Sequence, residues 1–265
     1  MANPVGGFIW YELMTTDADG AAAFYGSVVG WTISGDGPSP EGIDYRHITR
    51  SDGGSNGGVL HLTPEMCDEG ARPCWVGYLH VADVDSAVDA ILADGGRLLM
   101  PKATIDVGSF ALVTDPQGTP FYVMTPVPPP GKPDAVSDVF SVTEPQHVRW
   151  NELASPDQAG AMAFYARHFG FEFNEKMSMG PMGDYCFIGH NGITLGAIMQ
   201  QQDKTQPALW QFYIGVPSIA DAKRAVEANG GTVLMGPHEV PGGDWIIVGT
   251  DPQGVVFGLV GPKGE

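Results

Sequence analysis

Two glutamates have the clearest potential for chemistry, because each follows a tryptophan at the same spacing. Glu12 lies two residues after Trp10, and Glu152 lies two residues after Trp150. Residues two apart share a face of a β-strand, so each tryptophan is expected beside its glutamate. A carboxylate on an inward face requires a partner or a function. Three roles are open for each glutamate. It could link neighbouring structural units through a hydrogen bond or an ion pair, or it could serve as a general base or as an anchor for a ligand. The third role is that of a metal ligand.

The same tryptophans mark an internal repeat. The segment from Trp10 to Trp31 matches the segment from Trp150 to Phe171 without gaps, and ten of the 22 positions are identical. The tetrapeptide DPQG also occurs twice, at residues 115–118 and 251–254. The repeat predicts that one structural unit occurs in tandem.

Apolar periodicity predicts the order strand, helix, strand, strand, strand twice in the first half. The first strand covers Phe8–Met14, and its helix begins after the capping residue Asp17 and is closed by Gly30. Residues 63–73 are predicted to form a loop. An amphipathic helix beginning at Val84 then opens the second unit.

The second half repeats this order after a proline-rich, aperiodic linker, Thr125–Pro145. Its first helix is predicted to begin at Ser155, with Pro156 in the first turn, where proline is favoured. The following strand is predicted at Phe171–Asn174. The chain therefore contains four strand–helix–strand–strand–strand units.

Composition limits the class of function. The chain has 265 residues, of which 43% are apolar, and a formal net charge of −18. Such an acidic surface repels phosphate backbones, so we expect neither a nucleic-acid partner nor a membrane partner. The three cysteines lack zinc-pair spacing, and the N-terminus lacks signal-peptide features, which favours a cytoplasmic location. The motifs of nucleotide binding and of serine or zinc hydrolysis are absent from the sequence.

In combination, the motifs resemble those of the vicinal oxygen chelate superfamily, which includes glyoxalase I, bleomycin-resistance proteins and extradiol dioxygenases. They are a strand ending in TTD or SPD, an A-x-x-F-Y helix, V-x-D-V, D-G-G and the duplicated D-P-x-G. The resemblance implies an α+β fold of tandem βαβββ modules, with two modules around each cleft. It also implies an N-terminal domain at 1–125, a linker at 126–145 and a C-terminal domain at 146–265. Because both halves lie on one chain, we expect a monomer or a homodimer.

The resemblance further implies where metal ligands would lie. The six positions are seven residues before each helix start and on the last strand of each half, and they hold Trp10, Val76, Tyr122, Trp150, Gln211 and Gly258. Of these side chains, only Gln211 is expected to coordinate a divalent cation. Zn²⁺ or Fe²⁺ needs three or four protein ligands. We therefore predict no cofactor and no metal-ligating residue. A divalent metal (Zn, Fe, Mn or Ni) on relocated ligands is the alternative.

Aromatic and amide side chains are expected to line the clefts in place of a metal. Alternation puts Tyr78 beside His80 on one strand, and Gln211 beside Tyr213 on the matching strand. The predicted ligand-binding residues are Trp10, Tyr78, Tyr122, Trp150, Gln211 and Tyr213.

Histidine exchanges protons near neutral pH, so His80 is a candidate proton shuttle, with a structural role as the alternative. If all four side chains pointed inward, His47 and His61 would join His80 and Glu12 in a metal cluster outside the family pattern.

The main functional hypothesis is a glyoxalase-like protein that binds or transforms a small apolar or aromatic molecule in aromatic-lined clefts without the usual metal. In an enzyme, Glu12 or Glu152 would act as the base, and Tyr78, Tyr122 or Tyr213 would donate hydrogen bonds. One alternative is a non-catalytic sequestering protein of the bleomycin-resistance type. The other is a metal-dependent lyase or dioxygenase with relocated ligands.

Overall fold

The computed structural model describes residues 3–35, 37 and 42–265. These residues form five α-helices: α1 Ala18–Val29, α2 Pro64–Asp68, α3 Val84–Ala93, α4 Gln158–Phe169 and α5 Ile219–Ala228. The strands of the first half are β1 Phe8–Thr15, β2 Thr32–Ser34, β3 Tyr45–Thr49, β4 Ser55–His61, β5 Cys74–His80, β6 Arg97–Ile105, β7 Gly108–Thr114 and β8 Pro120–Pro126. Those of the second half are β9 Val148–Ser155, β10 Lys176–Ser178, β11 Asp184–His190, β12 Ile193–Gln200, β13 Trp210–Gly215, β14 Thr232–Glu239, β15 Trp245–Thr250 and β16 Val256–Gly261. A 3₁₀ turn occupies Gly180–Met182.

Each half of the chain forms one eight-stranded sheet, and the two sheets have the same topology. The strand orders are β2-β3-β4-β1-β5-β8-β7-β6 and β10-β11-β12-β9-β13-β16-β15-β14. In each sheet the first strand pairs in parallel with the fourth, and the fifth pairs in parallel with the eighth. The predicted α+β fold of tandem βαβββ modules is confirmed.

Helix α1 begins and ends where the sequence predicts. The carboxylate of Asp17 accepts a hydrogen bond from the amide of Gly20 at 2.8 Å and caps the first turn. Gly30 ends the helix with φ of 83°, a left-handed conformation that glycine adopts without a steric cost. The helix buries Phe24 and Tyr25, whose rings pack edge-on against Phe257 of β16 with centroids 5.6 and 5.9 Å away.

Three local predictions are wrong. Helix α4 begins at Gln158 rather than at Ser155, because Asp157 supplies the capping carboxylate and Ser155 ends strand β9. The strand expected at Phe171–Asn174 is reduced to an isolated bridge at Glu172, and the regular strand lies at Lys176–Ser178. The loop expected at residues 63–73 contains helix α2, which Thr63 caps and Pro64 opens.

Close packing divides the chain into two compact units. One comprises Met1–Ile9, Val76–Ser137 and Trp150–Trp210, and the other comprises Trp10–Trp75, Asp138–Arg149 and Gln211–Glu265. We call them unit 1 and unit 2. The domain boundaries near residues 125 and 146 stay a prediction. No helix among the described residues is long and apolar enough to cross a membrane.

Each unit contains a buried network of one tyrosine, one aspartate and one tryptophan. In unit 2 the hydroxyl of Tyr25 donates to Asp251 at 3.2 Å and accepts from Nε1 of Trp75 at 3.1 Å. The other oxygen of Asp251 accepts from the amides of Gln253 and Val255, so this aspartate holds its own turn together. The DPQG turn is therefore a junction between a strand pair and a distant helix.

Unit 1 repeats the network. Tyr165 donates to Asp115 at 3.3 Å and accepts from Trp210 at 3.0 Å. Both tyrosines are fully buried, and burial raises their pKa values well above the usual range. They therefore remain protonated hydrogen-bond donors at neutral pH.

Candidate functional site

The first Trp–Glu pair lies in a cluster with a tyrosine, Tyr45, that belongs to none of the sequence motifs described above. Nε1 of Trp10 donates to the hydroxyl of Tyr45 at 2.7 Å, and that hydroxyl is hydrogen-bonded to the carboxylate of Glu12. Glu12 is only 2% exposed. We call Trp10, Tyr45 and Glu12 cluster one. It belongs entirely to unit 2.

The strand pairing explains how cluster one is assembled. Glu12 on β1 pairs with Gly58 on β4, and the next strand, β3, presents Tyr45. A Cβ atom on Gly58 would lie 2.1 Å from the hydroxyl oxygen of Tyr45. Glycine at this position therefore gives the phenol the space to reach the glutamate.

Burial determines the protonation of cluster one. Burial, with a smaller contribution from the charge of Glu12, raises the pKa of Tyr45 well above its usual range. Tyr45 therefore keeps its proton and donates to the carboxylate. Burial and the same carboxylate raise the pKa of the nearby Cys74 thiol to about 12, so this cysteine stays a neutral thiol at physiological pH.

Unit 1 contains an equivalent cluster two. Nε1 of Trp150 donates to the hydroxyl of Tyr185 at 2.8 Å, and this hydroxyl donates to Glu152 at 2.5 Å. Glu152 is half-buried, so its carboxylate is more accessible than that of Glu12. The two clusters have the same chemistry with different exposure.

The sequence contains a signal for both tyrosines. Each tyrosine follows its tryptophan by 35 residues, so the repeat extends to Tyr45 and Tyr185. Extending the gapless alignment beyond Phe171 would have found them. That they reach the glutamates depends on strand pairing, which the alignment does not contain.

Besides the exposure of the glutamate, the two clusters differ in the ring that packs against the tryptophan and the tyrosine. His47 lies edge-on to Trp10 and Tyr45, with ring centroids 6.2 and 5.8 Å away. Phe187 holds the equivalent place in cluster two, 6.0 Å from Trp150 and 5.8 Å from Tyr185. Cluster one thus has an imidazole where cluster two has a phenyl ring.

The predicted residues Tyr78, Tyr122 and His80 lie in unit 1, on paired strands β5 and β8. The rings of Tyr78 and Tyr122 stack with centroids 4.1 Å apart, and Phe110 packs against both. Nδ1 of His80 is buried and has no hydrogen-bond partner within the described chain. The backbone of His80 bonds to Gly6 and Gly7, which fixes the end of β5.

The matching positions of the second half lie in unit 2 and are arranged differently. Tyr213 pairs with Gly258, where the first half has a stacked tyrosine pair. A Cβ atom on Gly258 would lie 2.6 Å from Cδ1 of Tyr213, so the ring of Tyr213 packs directly against the backbone of β16 at Gly258. Gln211 lies half-buried two residues before Tyr213.

The residues present do not fit the divalent metal that the fold implies. The indole nitrogens of Trp10 and Trp150 are hydrogen-bond donors to tyrosines, and an N–H donor offers no lone pair to a cation. Val76 is buried and apolar, and Gly258 has no side chain. Gln211 alone does not make the ligand set that such ions require.

A relocated cluster of His47, His61, His80 and Glu12 is not formed. The described part of the chain contains no group of three or more His, Cys, Asp or Glu side chains placed to hold a metal ion. His47 instead packs edge-on against Trp10 and Tyr45.

The repeated topology and the duplicated cluster agree with a sequence-family match. The profile of the Glyoxalase/Bleomycin resistance protein/Dioxygenase superfamily matches residues 7–123 and 144–259, one copy for each sheet. The chain belongs to this superfamily. The resemblance inferred from the motifs is confirmed.

Two groups of similar proteins differ in how much of the chain they match. CFP32, a protein provisionally named as a glyoxylase in Mycobacterium bovis and Mycobacterium tuberculosis, is 30% identical over 96% of this chain and 94% of its own length. The anthracycline biosynthesis proteins DauV of Streptomyces sp. (strain C5) and DnrV of Streptomyces peucetius are 28% identical over 42% of this chain and 45% of their own length.

Solved structures share the fold at low identity. The Mn(II)-bound glyoxalase from Novosphingobium aromaticivorans has a TM-score of 0.62 at 16% identity, covering 97% of this chain and 82% of that chain. An extradiol ring-cleaving dioxygenase from B. fuscum has a TM-score of 0.66 at 15% identity, covering 99% of this chain and 73% of that chain. These similarities establish the fold.

Proposed function

We propose that this protein binds a small, largely apolar or aromatic organic molecule against its two Trp–Tyr–Glu clusters, without the divalent metal of its enzyme relatives. The observation that supports this proposal is the use of the indole N–H groups. In both halves, the residue at the family's first metal position, Trp10 or Trp150, donates to a tyrosine. Each cluster thus combines partly exposed aromatic rings with a carboxylate, which is shielded at Glu12 and more accessible at Glu152, and this combination suits a ligand with an apolar body and one polar group.

The glutamates are the groups that we assign to chemistry on the ligand. In this assignment Glu12 or Glu152 accepts a proton from the ligand or anchors its polar group, and the tyrosine donor orients the carboxylate. His80, with its buried Nδ1, is a second candidate for proton transfer. Tyr78, Tyr122, Gln211 and Tyr213 are proposed as further ligand contacts.

Binding can be tested by ligand-observed NMR with a panel of small phenols, aromatic ketones and aromatic acids. The panel includes an anthracycline, because two relatives are named for anthracycline biosynthesis. We expect saturation transfer to aromatic compounds, with affinities unchanged after EDTA treatment and dialysis. Affinity that disappears with EDTA and returns with added Mn²⁺ would instead support a metal site on relocated ligands.

Turnover can be separated from simple binding with two substitutions and a mass balance. If Glu12→Gln and Glu152→Gln leave both affinity and any conversion unchanged, the assignment of the glutamates is wrong. A compound that binds stoichiometrically and is recovered unchanged by mass spectrometry would support a sequestering protein.

A further inference from the structure

A pocket in unit 1 is rich in glutamine and opens widely to solvent. Its volume is about 490 Å³, and its lining comes from the start of helix α4, the 3₁₀ turn, the end of strand β12 and the loop that follows β12. The lining includes four glutamines: Gln158, Gln200, Gln201 and Gln202. The lining residues, all within the described chain, include no member of cluster two. The pocket is therefore distinct from the site proposed above.

Hydrogen bonds fix the orientation of the four side-chain amides. In each glutamine, Nε2 donates to a backbone carbonyl oxygen at 3.0 Å or less. A carbonyl oxygen only accepts hydrogen bonds, so an amide turned the other way would lose its partner. The nitrogens are thus committed to the chain, and the oxygens point away from these bonds.

The amide oxygens remain available to a ligand. Among the described residues, no group donates to Oε1 of Gln158, Gln201 or Gln202, and Oε1 of Gln200 accepts only from the backbone amide of Gln158, at 3.4 Å. Gln201 is 8% exposed, and its bond to Gln206 holds it in place. The pocket thus has a fixed set of acceptor oxygens, which suits a ligand that donates several hydrogen bonds.

The internal repeat shows that the fold does not require these glutamines. Asp17 and Asp157 cap equivalent helices. The backbone amides of Leu62 and Gln201 each donate to the last residue of the parallel strand beside them, so these positions are also equivalent. In this alignment the first half has other residues at the four glutamine positions: Ala18, His61, Leu62 and Thr63. The same topology forms without the amides, so the set of glutamines belongs to this pocket and not to the fold.

We propose that this pocket binds an uncharged polyhydroxyl compound, such as a mono- or disaccharide. Hydroxyl groups donate to amide oxygens without bringing a charge. The lining, which lies wholly within the described residues, has no carboxylate to balance an ammonium or guanidinium group, and Lys204 would repel such a group. Pro156, Pro181 and Met182 add apolar surface that the C–H groups of a sugar ring can cover. This binding site is independent of the proposed function.

The test titrates ¹⁵N-labelled protein with D-glucose, D-mannose, D-galactose, maltose and cellobiose and follows the glutamine side-chain amide signals by NMR. We expect at least one sugar to shift the signals of the pocket glutamines saturably. Tetrahydropyran-2-methanol, which keeps the sugar ring with one hydroxyl, should bind roughly tenfold more weakly because it supplies fewer donors. Putrescine, the cationic probe, should leave these signals unchanged. If no sugar shifts them, or if putrescine shifts them at lower concentration than every sugar, the inference is wrong.

Two substitutions locate the binding. Gln201→Leu, which copies Leu62 of the first half, and Gln202→Leu each remove an amide oxygen and should lower the affinity for the bound sugar roughly fivefold or more. Gln206→Leu is the matched control, because this exposed side chain lies outside the lining, and it should leave the affinity unchanged. Gln202 is exposed, so Gln202→Leu decides the question even if circular dichroism shows that Gln201→Leu fails to fold. Equal affinity of Gln202→Leu and the unmodified protein would overturn the assignment and leave the proposed function standing.

Discussion

Replacing Tyr45 by phenylalanine should destabilise the protein more than the same change at Tyr185. In both clusters the hydroxyl donates to a glutamate and accepts from a tryptophan, so each substitution removes two hydrogen bonds. The clusters differ in the burial of the glutamate. Glu12 is 2% exposed, whereas Glu152 is half-buried. Water can therefore replace the lost donor at Glu152 more easily than at Glu12.

The expected magnitudes follow from these contacts. A hydrogen bond to a charged group contributes about 1.5–3 kcal/mol, and a neutral one contributes about 1 kcal/mol. Tyr45→Phe should therefore lower the free energy of unfolding by about 3 kcal/mol, since the carboxylate of Glu12 and the indole of Trp10 both lose a partner. Tyr185→Phe should cost about 1–2 kcal/mol, because water compensates at Glu152.

Urea unfolding followed by circular dichroism measures these differences, provided that the urea dependence of the free energy is unchanged. A double-mutant cycle adds a sharper test. In the Glu12→Gln background the cost of Tyr45→Phe should fall by about 1 kcal/mol or more, because the bond no longer involves a charge. Equal costs at Tyr45 and Tyr185, or no coupling between Tyr45 and Glu12, would refute the reasoning.

Four further predictions concern the frame that holds the clusters. Tyr25→Phe and Tyr165→Phe should each lower the free energy of unfolding by about 2–3 kcal/mol, because each leaves a buried tryptophan donor and a carboxylate without the shared hydroxyl; costs below about 0.5 kcal/mol in urea unfolding would contradict the assigned networks. Because burial raises the folded-state pKa of both tyrosines above the unfolded value of about 10, the stability that they contribute is complete below pH 10 and is lost as the pH rises above it. The urea concentration at the unfolding midpoint should therefore fall less steeply between pH 9 and pH 11 in the Tyr25→Phe/Tyr165→Phe double variant than in the unmodified protein. The same dependence on pH in both proteins would argue against this linkage. Gly58→Ala should disturb cluster one, because the added Cβ atom would lie 2.1 Å from the hydroxyl oxygen of Tyr45. Thermal unfolding is expected to show a loss of stability. A variant as stable as the wild type would mean that the Tyr45 side chain can move away without cost. Asp157→Ala should cost about 1 kcal/mol by removing the cap of α4, with Asp157→Asn as the control that retains a capping oxygen.

Most of the fold follows from local sequence signals. Asp17 and Gly30 mark the two ends of α1, and the 140-residue repeat predicts that the second half copies the first. Prediction failed where two signals competed. At the start of α4, Pro156 suggested a helix that begins at Ser155. Asp157 supplies the cap instead, and Ser155 is the last residue of strand β9. After that helix Phe171 packs in the core, and regular strand pairing begins only at Lys176.

Reading the sequence alone is enough to identify the residues with potential chemistry and the metal ligands that are missing. Trp10 and Trp150 stand where the resemblance to the superfamily implies a metal ligand, and Glu12 and Glu152 follow two residues later on the same strand face. The contacts of these residues depend on the three-dimensional fold. Tyr45 and Tyr185 reach the glutamates only because strands distant in the chain pair beside each other, in a register that no local pattern encodes. Burial, which depends on all the surrounding chain, then made Glu12 a shielded carboxylate and left Glu152 accessible.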